Sequence, residues 1–276
     1  VDLESCKNVL IYDNTFDVGD DAICIKSGKD KDGRKRGMPT ENVIIKNNVV
    51  YHGHGGFVIG SEMSGGARNI HVSNCTFIGT DIGLRFKTTR GRGGIVENIY
   101  IKNIDMINIP TQVIGFNMFY EGASPVLEDG QKKEGNKAPE KIYPVTEETP
   151  VFRNIFFKNI SAVNSYEAIT LFGLAEMNLK NIVIEDSQFD TKKGLTIVDA
   201  DGITLKNVRL KYTEGTGATV YNSKNINLST VKFESANKPL LKVLGNKTGA
   251  VLLSKEVMSD KSSLSIGTEV AKNAVK

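Results

Sequence analysis

Asn8-Val9-Leu10-Ile11-Tyr12-Asp13-Asn14-Thr15-Phe16 decides the fold, because the chain keeps returning to it. Its pattern is Asn, aliphatic, any, apolar, any, Asn or Asp, two of any kind, apolar. Asn42-Val43-Ile44-Ile45-Lys46-Asn47 repeats it and ends at Val50. Asn69-Ile70-His71-Val72-Ser73-Asn74 ends at Phe77, and Asn98-Ile99-Tyr100-Ile101-Lys102-Asn103 ends at Met106. Later copies begin at Asn154, Asn181, Gly202 and Asn225, with Asn159, Asp186, Asn207 and Thr230 at the Asn/Asp position. The starts are 34, 27, 29, 56, 27, 21 and 23 residues apart. β-rich repeats of about 20–30 residues signal a solenoid. The internal period is two, which makes each copy a strand.

A second apolar stretch comes after each copy, at 22–27, 57–61, 84–88, 112–116, 168–172, 195–198, 218–221 and 240–244. No amphipathic helix of convincing length separates them. The expected fold is therefore all-β, a right-handed parallel β-helix, with aliphatic residues stacked inward. Asn or Asp stacks at the turns, where left-handed backbone is tolerated. One β-helix domain is expected over 1–276. The chain opens on Val1, already inside repeat-like sequence, and reads as the C-terminal part of a longer catalytic domain. The 56-residue spacing holds either a long insertion or an extra coil. Residues 120–150 carry Pro125, Pro139, Pro144 and Pro150 among Glu128, Asp129, Lys132, Lys133 and Glu134, and read as a polar loop. Residues 259–276 read as a polar, fraying tail.

Composition narrows the function. The 276 residues are 39% hydrophobic and 24% charged, enough for a sizeable core. A net charge of +3 is too mild to argue for nucleic acid, and no apolar run is long enough to span a membrane. Cys6, Cys24 and Cys75 have neither metal spacing nor an even count, and read as small hydrophobes in strands. A monomer without metal or cofactor is expected.

The chemistry centres on Gly19-Asp20-Asp21-Ala22-Ile23-Cys24-Ile25-Lys26-Ser27-Gly28. Alternation turns Ile23 and Ile25 inward and Ala22, Cys24 and Lys26 outward. A bend at Gly19 would bring both carboxylates to one cleft. So close a pair is expected to raise one pKa, as an acid catalyst requires. An Asp pair after Gly is also an ordinary turn. The repeat spacing separates these readings. Adding 34 to position 20 places His54 on Asp20 and Ile59 on Ile25. Adding 27 more places Phe86 on Ile59 and aligns Lys26, Gly60 and Lys87. The outward rows are then Ala22/Gly56/Gly83, Cys24/Val58/Arg85 and Lys26/Gly60/Lys87. Asp20, Asp21, His54, Arg85 and Lys87 fall on one outer patch. Gly53, Gly55, Gly56, Gly60 and Gly83 leave that patch clear. Carboxylates, an imidazole and two cations suit acid–base chemistry on an anionic substrate. Singly, His54 would be a turn residue, and Arg85 with Lys87 a solvated face. His52 and His71 have no comparable partners. Lys29-Asp30-Lys31-Asp32-Gly33-Arg34-Lys35-Arg36 reads as a solvated turn, or as the lining of a subsite for a carboxylated sugar.

At these residues the chain resembles the polygalacturonases, glycoside hydrolase family 28. The family's hallmarks look like Gly19-Asp20-Asp21, then Gly53-His54-Gly55, then Arg85-Phe86-Lys87, where the family commonly has Arg-Ile-Lys. The resemblance implies an inverting hydrolase of α-linked galacturonate in pectic polysaccharide or oligogalacturonides. It would make Asp20 the general acid and Asp21 an activator of water. His54 would support the acid's protonation, and Arg85 and Lys87 would bind substrate carboxylate. An inverting pair stands about 6.5–9.5 Å apart to admit water. The family also has an Asn-x-Asp-Gly motif ahead of Gly-Asp-Asp, whose Asp shares the base role. Val1-Asp2 resembles the residues just after that motif, so this chain alone is expected to be inactive or barely active. Ala22 stands where many members have Cys. The stretch from Gly55 to Gly66 looks more like exo-acting bacterial members, and the 120–150 insertion would wall off one end of the cleft. A pectin-degrading enzyme would be secreted or periplasmic. A rhamnogalacturonan or xylogalacturonan hydrolase is the nearest alternative. A calcium-dependent pectate lyase and a non-catalytic carbohydrate-binding β-helix come from other classes.

Overall fold

The computed structural model describes residues 1–120 and 142–276. Among these, every strand pairing with a given register is parallel, and each strand pairs with its counterpart one repeat later. The chain is the right-handed parallel β-helix that the repeats predict. All eight second stretches form strands or strand ends, including Ile23–Lys26, Gly55–Ile59, Ile82–Lys87 and Gln112–Asn117.

The register is the one read by subtraction. Ile23, Phe57 and Leu84 stack, and so do Ile25, Ile59 and Phe86. The second row continues through Phe116, Leu171, Ile197, Val220 and Val243. Phe86 lies flat on Phe116, with centroids 4.1 Å apart, and meets Phe57, Phe152 and Phe157 edge-on. These residues belong to one core that runs from Ile11 to Ala274. Ile99 pairs directly with Ile155, so the 56-residue spacing holds an insertion and no extra coil. The greater part of that insertion, 121–141, lies outside the described residues.

Asparagine sets the corners. Asn8, Asn42, Asn69, Asn98, Asn154, Asn181 and Asn225 all have φ between 50° and 58°. So do Asp13, Asn47, Asn74, Asn103, Asn159, Asp186 and Asn207 at the second position. Asn and Asp tolerate this left-handed backbone better than other side chains with a Cβ. Their side chains also bond along the axis. Asn103 donates to Asn74 at 2.9 Å and accepts from Asn159 at 2.9 Å. Such amide bonds tie many of the corners to the next.

Three local expectations give way. The charged stretch is a helix, Asp30–Arg36, closed by Gly37 at φ 59°. Acidic residues in its first turn and basic ones in its last complement the helix dipole. Arg92 holds Asp30 at 2.5 Å, and Arg34 reaches Glu148 at 3.0 Å and the Gly91 carbonyl. The 259–276 tail is folded: Leu264–Ile266 extends the sheet, Val251 bridges to Val275, and Val270 and Ala274 are buried. Finally, Ala22, Gly56 and Gly83 do not face outward. Ala22 joins the core, and a Cβ at Gly56 or Gly83 would strike Phe77 or Met106. Glycine there makes room for core side chains rather than for substrate.

The ladder has a measurable consequence. Asn103→Ala removes two amide bonds and puts alanine, which tolerates left-handed backbone less well than asparagine, at a φ of 55°, and should cost about 1–3 kcal/mol in urea denaturation. Asn103→Gly, which keeps the backbone relaxed, should cost clearly less. Equal losses would mean that the amide ladder alone matters.

Candidate active site

The register delivers the five residues to one place, but their partners differ from expectation. Asp21 sits over the strand Ile23–Lys26 with its side chain only 8% exposed. Lys87 Nζ donates to Asp21 Oδ2 at 2.7 Å, and Arg85 Nη1 to Oδ1 at 3.3 Å. Both cations come from the strand Ile82–Lys87, two coils on. Lys87 is itself 7% exposed. A carboxylate so deep in the wall needs such partners, because an unpaired buried charge is costly. The cations read as ligands for substrate thus hold the buried Asp21 carboxylate in place.

Asp20 faces solvent. Its Oδ1 accepts the Asp21 backbone N–H at 2.7 Å. That bond is the largest influence on the Asp20 carboxyl. With the nearby charges of His54, Lys87 and Lys26 it outweighs partial burial, and the pKa lies below the ordinary 3.8. The expected rise from like-charge crowding is not seen at Asp20. The neighbouring Asp21 charge is offset by two cations, and its amide favours the ionised form.

His54 comes next after Asp20 in the stack, and its backbone N–H donates to the Asp20 carbonyl at 3.0 Å. Its ring meets a residue that lies outside the three motifs. Nδ1 lies 2.7 Å from Oδ2 of Asp81. The signal was present: 54 plus the 27-residue repeat is 81. His52 has a partner after all, Asp17 at 3.1 Å, and His71 stacks on Tyr100 with centroids 4.9 Å apart.

The outward row beneath the charges is closed to solvent. Cys24 and Val58 are fully buried, and burial pushes the Cys24 thiol up to about 12, with the Asp21 charge adding to it. Cys75 is also buried, whereas Cys6 is partly exposed. Gly60 has φ +98°, and a Cβ there would strike the Lys87 carbonyl. Here glycine lets the backbone of the next coil approach, and Cys24 Sγ bonds the Gly60 carbonyl at 3.4 Å.

On the far side of Arg85 the wall opens into a cavity of about 210 Å³. Arg85, Lys87, Gln112, Asn117, Tyr120 and Thr170 contribute to its lining. The Tyr120 ring lies 5.0 Å from the Lys87 ammonium and 5.8 Å from the Arg85 guanidinium. Sequence reasoning missed Tyr120, Gln112 and Asn117 as site residues. Gln112 and Asn117 end the strand that carries the fourth of the second stretches, so the cavity is one more turn of the same register.

Comparison with known proteins finds relatives for this chain. The model of the Glycosyl hydrolases family 28 matches residues 1–134. A probable polygalacturonase of Vitis vinifera is 29% identical over 202 residues, covering 73% of this chain and 39% of the relative. The exo-poly-alpha-D-galacturonosidase of Dickeya chrysanthemi is 31% identical over 120 residues, covering 44% of this chain and 20% of the relative. The crystal structure of a hyperthermoactive exopolygalacturonase from Thermotoga maritima superposes with a TM-score of 0.65 at 34% identity. That match covers 76% of this chain and 43% of the other. The chain thus spans less than half the length of each of these relatives.

The Asp21 pairing can be tested apart from activity. Lys87→Met leaves a buried carboxylate with one weaker partner and should destabilise by about 1–3 kcal/mol. Asp21→Asn in the same chain should restore part of that loss. Additive losses in the double-mutant cycle would show that the two side chains do not interact.

Proposed function

We propose that this chain, which belongs to glycosyl hydrolases family 28, is part of a glycosidase that cleaves α-1,4-galacturonosyl linkages in pectic polysaccharide. The carrying observation is the stack of Asp20 and Asp21, His54, then Arg85 and Lys87 on consecutive coils, bonded through Asp21. Asp20 acts as general acid and Asp21 orients water. The exposed carboxyl of Asp20 is free to reach a glycosidic oxygen. A bound glycan that displaces water from Asp20 raises its pKa and favours the acid form. Asp21, fixed by two cations, keeps a constant position through the reaction, as preorganised electrostatics require.

The cavity beside Arg85 supports a carboxylated sugar as the bound group. Arg85 retains more exposure than Lys87, at 22% against 9% of the side chain, so it is the cation better able to meet substrate. Its planar fork suits a carboxylate. Hydrolysis with inversion is the outcome of pairing an acid with a water-activating carboxylate. Exo action is supported by the likeness to the Thermotoga exopolygalacturonase and the Dickeya exo-enzyme. The polymer's size places the reaction outside the cytoplasm, and among the described residues no helix is long and apolar enough to cross a membrane.

Products from polygalacturonate, sized over time with the full-length protein, test this reading. Early monogalacturonate alone is expected. A ladder of oligomers would overturn exo action, and an intact polymer would overturn the substrate. Arg85→Gln should raise KM by about tenfold or more with a smaller change in kcat. An unchanged KM would remove Arg85 from substrate binding.

A further inference from the structure

The Asp20 stack does not stop at the residues that the family resemblance supplies. Steps of 34 and 27 residues carry it from Asp20 to His54 and on to Asp81. His54 Nδ1 lies 2.7 Å from the Asp81 carboxylate. The Asp81 backbone is anchored independently of its side chain. Its N–H donates to the Gly53 carbonyl at 2.9 Å. Its carbonyl accepts from the Thr111 N–H at 3.2 Å and from the Thr111 hydroxyl. The carboxylate is thus held on a fixed segment beside the ring.

We propose that Asp81 is a positioning residue that fixes the tautomer of His54, a role that rests on the site proposed above. A carboxylate accepts hydrogen bonds and has no proton to give when ionised. Facing Nδ1, it favours the neutral imidazole with its proton on Nδ1. Nε2 then remains as the lone-pair nitrogen available to the cleft. A histidine's second nitrogen is commonly set by such a bond to its first. His54 is about half exposed, so packing alone does not hold the ring. With the ring fixed, His54 offers an acceptor beside the Asp20 acid rather than a competing donor. Asp81 itself touches neither substrate nor the reacting atoms in this scheme.

Imidazole ¹⁵N–¹H NMR on the protein reads this directly, because the chain has only three histidines. His54→Gln assigns the signals. Wild-type His54 is expected as the Nδ1–H tautomer at a pH where the ring is neutral. Asp81→Ala should move it toward the Nε2–H form, leaving His52 and His71 unchanged. Asp81→Glu, which keeps the acceptor, should retain Nδ1–H and guards against misfolding of the alanine variant. On polygalacturonate, Asp81→Ala should lower kcat by about tenfold to a hundredfold with KM nearly constant. A wild-type Nε2–H tautomer, or one that Asp81→Ala leaves at Nδ1–H, overturns the proposal. A locked tautomer in a protein that fails to cleave polygalacturonate supports the pairing and overturns the proposed activity instead.

Discussion

The register between coils is the constraint on which everything else depends. Side chains alternate along each strand, so a one-residue slip would send the whole inward row to the surface. Asn and Asp at the corners prevent that slip. Their left-handed backbone repeats at the same place in successive coils, and their amides bond along the axis. Because the corners are aligned, residues 34 and 27 apart become neighbours. The site is built from this arithmetic. Asp20, His54 and Asp81 form one line, and Cys24, Val58 and Arg85 another, with Asp21 pinned by the second line and its neighbour Lys87.

Charge within the site is balanced before any ligand arrives. Asp21 is nearly inaccessible, and Lys87 and Arg85 both point to it. Lys87 is as buried as its partner, which gives it a structural part in the site. Arg85 stands at the border, with its guanidinium against Asp21 on one side and a cavity with Tyr120 on the other. The two carboxylates of the Asp pair thus occupy different surroundings, one paired and enclosed, the other exposed. Such separation of environment is how adjacent carboxylates come to have different tasks.

Much of this was legible in the sequence, for physical reasons. The period-two pattern, the corner asparagines and the spacings fixed the coils, the inward rows and the coincidence of five site residues. What escaped detection depends on contacts between side chains of different coils. The pairing of both cations with Asp21 is invisible in a motif, because the depth of Asp21 below the surface leaves no trace there. Gly56 and Gly83 read as clearance for a ligand, although Phe77 and Met106 fill the space beside them. The run Asp30–Arg36 looked like a solvated turn because its charged residues and single glycine show no apolar face. Its helix is held instead by dipole-matched charges and ion pairs to Arg92 and Glu148. Asp81 was within reach of the same subtraction that found His54, and lay outside the three motifs that drew attention.

On the proposed mechanism, an Asp pair delivers a proton and a water to opposite faces of an α-linked galacturonate. The anomeric configuration of the new reducing end tests this most directly. Proton NMR during the first turnovers of the full-length protein on oligogalacturonide should show the β-anomer appearing first, with the α-anomer growing only by mutarotation. An α-anomer formed first, or an unsaturated product with no new hydrated end, would contradict the account.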